Sequence, residues 1–281
     1  MTRTLFVSDL DGTLLNRQSV VSERSRETLN DLIVNHGTLF SIATARTPAT
    51  AVKLMSGIAT NIPLVVMAGA AMWDNTVKQY VYTMPIAESC VGKICDAYER
   101  HGVHPFIYRN HHGVLHAYHH TELLANEQAF INERINTPFK RFMISDNPYC
   151  EVDDAALLIY AMNRYDVLEA VSADISAAGI ECHKVCYHDI FNPVNGILEV
   201  YAPGVTKDAA IDRLKSLTGA DRLVVFGDNL NDREMMLAAD YSVAVGNAFD
   251  EVKAIADEVI GPNTADSVAL RIAAEVKQNN Q

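Results

Sequence analysis

The sequence has no uninterrupted apolar run near the roughly 18 residues that a membrane-spanning helix needs. No membrane span is therefore expected. Its start, Met1-Thr2-Arg3-Thr4, leads into only a short apolar stretch, Leu5 to Ser8, before Asp9. That is too little for a signal peptide, so the expected location is cytoplasmic. Basic blocks are also missing, and the pair Lys140-Arg141 is the nearest approach to one. With 23 Lys and Arg against 35 Asp and Glu, the formal net charge is −12. A nucleic-acid partner wants clustered cations, so none is expected. An acidic protein that handles an anion needs a local positive pocket or a metal. Cysteine is sparse: Cys90, Cys95, Cys150, Cys182 and Cys186. The number is odd and no Cys-x-x-Cys occurs, which reads as reduced thiols, with a Cys182/Cys186 metal pair as the sharper alternative. Repeats and low-complexity tracts are absent. What remains is 281 residues, 49% of them hydrophobic. That excludes a disordered chain and allows one large domain or two ordinary ones.

A short apolar run that stops at an acidic turn marks a strand at 4–8, and further short apolar runs mark strands at 38–43 and 64–67. Ser22 is placed to cap a helix carrying Leu29, Leu32 and Ile33, and Thr47-Pro48 to start another. Strand and helix alternate here, which predicts a parallel sheet with covering helices. The rhythm then changes. A hairpin turns at Asp74-Asn75, and β-rich segments with intervening helices follow, with strand-like material after Asp189 broken at Asn195-Gly196. The α/β rhythm resumes near residue 200, where Thr206 can cap a helix, and Thr264 can cap the last one. The predicted organisation is a core domain over 1–82 and 188–281, with a second, α+β domain over 83–187 inserted.

Two acidic turns carry the chemistry. In Asp9-Leu-Asp-Gly-Thr, Asp9 and Asp11 follow a buried strand, and strand periodicity puts them on one side. In Gly227-Asp-Asn-Leu-Asn-Asp232, Asp228 and Asp232 follow another. Open α/β sheets bind ligands beyond the carboxyl ends of their strands. If the two strands are neighbours, four carboxylates converge. Like charges so close call for a cation, and oxygen ligands of this kind suit Mg²⁺. Thr44 ends the second strand ahead of a helix, where a hydroxyl and helix N–H groups would hold an anion. Lys207, at the start of a helix, is poorly placed for the helix dipole, which favours a role on phosphate or on the acidic cluster.

Asp-x-Asp-Gly-Thr, a strand-end Thr, a Lys at a helix start and Gly-Asp-x-x-Asn-Asp, in this order, resemble the motif set of the haloacid dehalogenase-like superfamily, most closely its Cof-type phosphatases. The resemblance covers essentially the whole chain. It implies a Rossmannoid parallel-sheet core with an inserted C2B-type cap, an α/β lid over the site. It also implies Mg²⁺-dependent hydrolysis of a small phosphorylated metabolite, a sugar phosphate or a related phosphomonoester. By motif, Asp9 would be the nucleophile and Asp11 the general acid and base. Thr44, Lys207 and backbone N–H groups near Ala45 and Arg46 would hold the phosphoryl group. Asp9, the Asp11 backbone carbonyl and Asp228 would bind the metal. Asn231 and Asp232 would complete or orient that site, Asn231 also on the phosphate side.

The chain departs from the Cof pattern in three places. Met67-Ala68-Gly69-Ala70 replaces the usual Asn-Gly-Ala, Asp208 stands where Gly usually follows the Lys, and Asp266-Ser267 replaces Asp-Gly. A phosphotransferase or phosphomutase on the same scaffold, and a non-catalytic phosphate-ligand sensor, are the alternatives. In the inserted region, Asn110 to His120 holds His111, His112, His116, His119 and His120. Three readings stay open for them: decoration of a hairpin and turn, contact with substrate, or binding of a soft metal.

Overall fold

Short, largely buried apolar runs set most strands of the first unit. β1 (Thr4–Ser8) is followed by a tight turn over Leu10–Leu14, helix α1 (Glu23–His36), β2 (Leu39–Ile42), α2 (Pro48–Leu54), β3 (Leu64–Val66), and the hairpin of β4 (Ala71–Asp74) and β5 (Gln79–Thr83). The computed structural model describes residues 2–145, 154–189 and 192–279. It divides into two units, Met1–Tyr82 with Thr206–Gln281, and Thr83–Val205.

The second unit contains α3 (Glu88–Glu99), β6 (Phe106–His111), β7 (Val114–His119), α4 (Ala125–Arg134), β8 (Lys140–Ile144), β9 (Ala155–Arg164), α5 (Tyr165–Ala177), β10 (His183–His188) and β11 (Asn195–Tyr201). Its sheet runs β10-β11-β9-β6-β7-β8. The sequence-based boundary at 187/188 falls inside β10, which pairs with β11 residue for residue from His183↔Tyr201 to His188↔Gly196. A cut there would divide one hairpin, so the unit extends to Val205. The break expected at Asn195-Gly196 is also absent. Gly196 lies in register with Asn163, where a side chain would collide with Tyr165 and the Tyr187 carbonyl.

The chain then returns to the first unit with α6 (Lys207–Thr218), β12 (Arg222–Gly227), α7 (Arg233–Ala238), β13 (Tyr241–Ala244), α8 (Asp250–Ile255), β14 (Glu258–Val259) and α9 (Ser267–Asn279). The five-stranded sheet has the order β14-β13-β12-β1-β2. Every pair in it is parallel, with Ser8 opposite both Phe226 and Ile42. Strands β1, β2 and β12 are buried almost throughout, as a sheet covered on both faces requires. Their carboxyl ends therefore finish together, with Asp9 beside Asp228 and Thr44.

Local chemistry explains the helix starts. The Ser22 hydroxyl accepts from Ser25 N–H at 3.0 Å, and α1 buries Leu29, Leu32 and Ile33. Pro48 opens α2, and the Thr206 hydroxyl accepts from Ala209 N–H at 3.4 Å. The expected cap at Thr264 is displaced. Residues Asn263–Ala265 form a separate turn, and α9 begins only after Asp266, at φ 59°. The Asp266 carboxylate accepts from the hydroxyls of Ser22 and Ser25, tying this turn to the start of α1.

Candidate active site

The turn after β1 places the first carboxylates. Asp9 N–H still donates to the Phe226 carbonyl of β12 at 2.9 Å, so Asp9 is the last residue held by the sheet. Beyond it the backbone leaves the extended form, with Gly12 at φ +86°. Strand alternation therefore does not reach Asp11, and the two carboxylates part. Asp9 is buried, while the Asp11 side chain is 47% exposed and takes two bonds from Arg46, Nε at 2.6 Å and Nη2 at 2.8 Å.

Three of the four expected carboxylates converge. Ligand oxygens of Asp9, Asp228 and Asp232 all lie within 4.8 Å of one another. Lys207, on the first turn of α6, donates to Asp9 Oδ1 at 2.6 Å and to Asp232 Oδ1 at 2.7 Å. The other Asp232 oxygen accepts from the N–H groups of Asp228 at 3.1 Å and Asn229 at 3.2 Å. Asp232 is thus fully engaged in holding Lys207 and the turn after β12. Asp228 is partly exposed, and Thr13 Oγ1 donates to its Oδ1 at 2.7 Å.

The electrostatics follow from this burial. Desolvation, with Asp232 alongside, pushes the Asp9 carboxyl up against the downward pull of Lys207. Desolvation likewise lifts Asp228 to about 6, although the Thr13 hydroxyl works the other way. Burial works against the Lys207 ammonium, but Asp9 and Asp232 outweigh it and its pKa moves up.

The remaining expected residues are less alike. Thr44 is buried at the end of β2, and its hydroxyl accepts from Arg46 N–H at 3.1 Å. Arg46 was expected to offer its backbone N–H to a ligand, and that N–H is instead taken by Thr44, while its guanidinium reaches Asp11. Asn231 is exposed in the turn between β12 and α7, and Ala45 is exposed beside Thr44. Sequence reasoning assigned no role to Thr13, which stands in the quoted Asp9-Leu-Asp-Gly-Thr motif, or to Asn247. Asn247 Nδ2 donates to the Gly12 carbonyl at 2.8 Å and so fixes the turn that carries Asp11.

A family model described as haloacid dehalogenase-like hydrolase matches residues 6–272. The chain belongs to this family. Among curated relatives, it is 25% identical over 272 residues to the 5-amino-6-(5-phospho-D-ribitylamino)uracil phosphatase YitU of Bacillus subtilis, covering 94% of both chains. It is 26% identical over 275 residues to the pyridoxal phosphate phosphatase YbhA of Escherichia coli, covering 96% of this chain and 97% of that one. Among solved structures, a haloacid dehalogenase-like hydrolase from Bacteroides thetaiotaomicron superposes with a TM-score of 0.78 at 22% identity, over 96% of this chain and 98% of that one.

In this hydrolase the acidic cluster fits a small hard cation. Its donors are carboxylate oxygens, which suit such an ion, and burial raises the proton affinity of Asp9 and Asp228, as expected where positive charge is wanted. The turn is shaped to leave room: a Cβ on Gly12 would sit 2.3 Å from Asp228 Oδ2. The departure at Ala68 is accommodated by a left-handed backbone, φ 54°, with its N–H on the Thr44 carbonyl at 3.0 Å.

Proposed function

We propose that the chain hydrolyses a small phosphorylated metabolite, a sugar phosphate or related phosphomonoester, with Mg²⁺ and through an aspartyl-phosphate. The observation that carries this reading is the buried Asp9–Lys207–Asp232 chain beside Asp228, at the carboxyl ends of two adjacent parallel strands. The phosphatase names of YitU and YbhA, which align over nearly their full lengths, support it.

Asp9, the Asp11 backbone carbonyl and Asp228 would hold Mg²⁺, with Asp232 behind them. When bound, the ion supplies positive charge for the phosphoryl oxygens and the carboxylates. Asp9 attacks phosphorus, forming an acyl-phosphate bond as the ester P–O bond breaks. The leaving alkoxide takes a proton from Asp11. Asp11 then removes a proton from the incoming water, and phosphate leaves with Asp9 restored. Lys207 keeps Asp9 oriented and supplies fixed positive charge, while Thr44 is placed to donate its hydroxyl hydrogen to a phosphoryl oxygen. Arg46 holds Asp11 as a pure acceptor, so its service as an acid requires that Arg46 be released when substrate arrives.

The test is phosphate release from a panel of phosphomonoesters, including sugar phosphates, pyridoxal phosphate and 5-amino-6-(5-phospho-D-ribitylamino)uracil. Release that needs Mg²⁺ and disappears both in EDTA and in Asp9→Asn supports the reading. Turnover by Asp9→Asn at the wild-type rate refutes covalent catalysis at Asp9. Transfer of phosphate to added acceptor alcohols in preference to water would favour the phosphotransferase alternative.

A further inference from the structure

The proposed hydrolysis assigns no role to the histidine-rich stretch, yet its geometry is specific. His111 ends β6 and His116 lies within β7. The strands pair with Arg109 opposite His116 and His111 opposite Val114, so the two histidines are diagonal neighbours on one face. The connecting residues His112 and Gly113 both have positive φ, 49° and 88°. That is a two-residue hairpin turn of the kind that fixes register, so the placement is built into the fold. The two imidazoles stack at 4.7 Å between centroids and 25° between planes.

A carboxylate completes the group from far along the chain. Asp154 immediately precedes β9, which pairs with the other edge of β6. Its Oδ2 is 2.7 Å from His111 Nδ1. Two paired strands and the residue leading into a third thus contribute one side chain each, and donor atoms of His111, His116 and Asp154 lie within 4.8 Å of one another. Sequence alone pointed to the histidines but could not supply Asp154.

We propose that His111, His116 and Asp154 form a binding site for a late first-row divalent metal ion of the zinc type. Two imidazoles and one carboxylate favour Zn²⁺ or its neighbours over Mg²⁺. Bonds of about 2.0–2.2 Å place ligand atoms roughly 3.3–3.5 Å apart in a tetrahedron, so small side-chain rotations close the set. The surroundings orient the ligands. Tyr118 OH lies 3.5 Å from His116 Nδ1, beside the candidate ligand ring. Arg109 is fully buried and neutralised by Glu88, with bonds of 3.0 and 2.7 Å, and it donates to the Asp154 carbonyl at 2.6 Å. Such outer partners hold metal ligands in place. Arg141 stands opposite His116 on β8, and its charge favours an anion in the open fourth position. A bound ion would staple β6, β7 and β9 together.

The test uses the full chain, stripped of metal and kept in excess Mg²⁺ so that the acidic cluster does not compete. Zn²⁺ is titrated against a chromophoric chelator. One Zn²⁺ per chain is expected, weakened at least tenfold in His116→Gln and in Asp154→Asn. It should persist in Asp228→Asn, and in His120→Ala, whose target ring belongs to a separate stacked pair with His104. Zn²⁺ binding that survives His116→Gln and Asp154→Asn, or that is lost in Asp228→Asn, overturns the proposal, as does the absence of binding. Anomalous diffraction at the zinc edge from wild-type crystals avoids any folding defect of a variant. A peak within bonding distance of His111 and His116 supports the site, and a peak elsewhere or none refutes it.

Discussion

Replacing Lys207 by Met tests the charge balance at the centre of the first unit. Met keeps most of the aliphatic stem and removes the ammonium. That ammonium bridges Asp9 at 2.6 Å and Asp232 at 2.7 Å, with side-chain exposures of 5% for Lys207, 9% for Asp9 and 0% for Asp232. Removing one member of a buried ion pair typically costs about 3–5 kcal/mol, because the partner charge stays buried without compensation. With a urea slope of about 3 kcal/mol/M, the midpoint should fall by roughly 1–1.7 M. The single tryptophan, Trp73, is buried in β4 of the same unit and reports its unfolding by fluorescence. The loss should depend on pH. Burial and Asp232 already raise Asp9, and Lys207 is what pulls it down. Without Lys207 the folded-state pKa rises further, so the folded variant holds a proton that the unfolded chain has released. Its stability then falls as pH rises through that window. In EDTA, the folded wild type itself holds the Asp9 proton up to about pH 8, so the deficit should grow only above that value and be larger at about pH 9.5 than at about pH 7. A deficit below about 1 kcal/mol at the higher pH, or one equal at both, would refute the reasoning.

Two further outcomes follow from the same cluster. Gly12→Ala puts a Cβ 2.3 Å from Asp228 Oδ2 at a backbone φ of +86°, so Mg²⁺ binding measured by calorimetry should weaken by roughly 10–100-fold; unchanged affinity would mean that the turn has slack. The folded-state pKa of Asp228 is raised to about 6, above an unfolded value near 3.9, so in EDTA the cluster costs stability as pH rises between these values. Mg²⁺ binds the deprotonated form and should raise the melting temperature more at pH 8 than at pH 5, and an equal rise at both would argue against these carboxylates as its ligands.

The ends of the chain were the more legible part. Short apolar runs identified β1, β2 and β12, the first and last of them ending at Asp or Gly, and the helix caps at Ser22, Thr47-Pro48 and Thr206 were readable because a cap depends on adjacent residues. What failed were inferences that carried a local rule past its range. Strand alternation was extended to Asp11, two residues after the turn had ended the strand. Asn195-Gly196 looked like a break because the pattern cannot show that β9 and β10 flank that position. Strand β8 was missed, since Lys140-Arg141 was weighed only as the nearest approach to a basic block, yet Lys140 is buried with Nζ 4.8 Å from the centre of the Phe142 ring. Partners across long separations, such as Arg46 on Asp11 and Asp154 on His111, leave no local mark. Cys150 lies outside the described residues, and Cys90, Cys95, Cys182 and Cys186 are free thiols.

The parallel pairing of β1 with β12 has a consequence for the order in which the protein can form. Ribosomal synthesis delivers β1 first, and more than two hundred residues must follow before Phe226 reaches its place beside Ser8. At about 5–20 residues per second that is a wait of roughly 10–40 s. Throughout it, Leu5, Phe6 and Val7 belong to a strand that lacks one of its two neighbours. The second unit is contiguous, so all of its residues are delivered in the meantime. Asp9 meets Lys207, Asp228 and Asp232 only as the last third of the chain emerges, so the charged cluster is assembled late, on a sheet whose central strand is delivered long after the strand beside it.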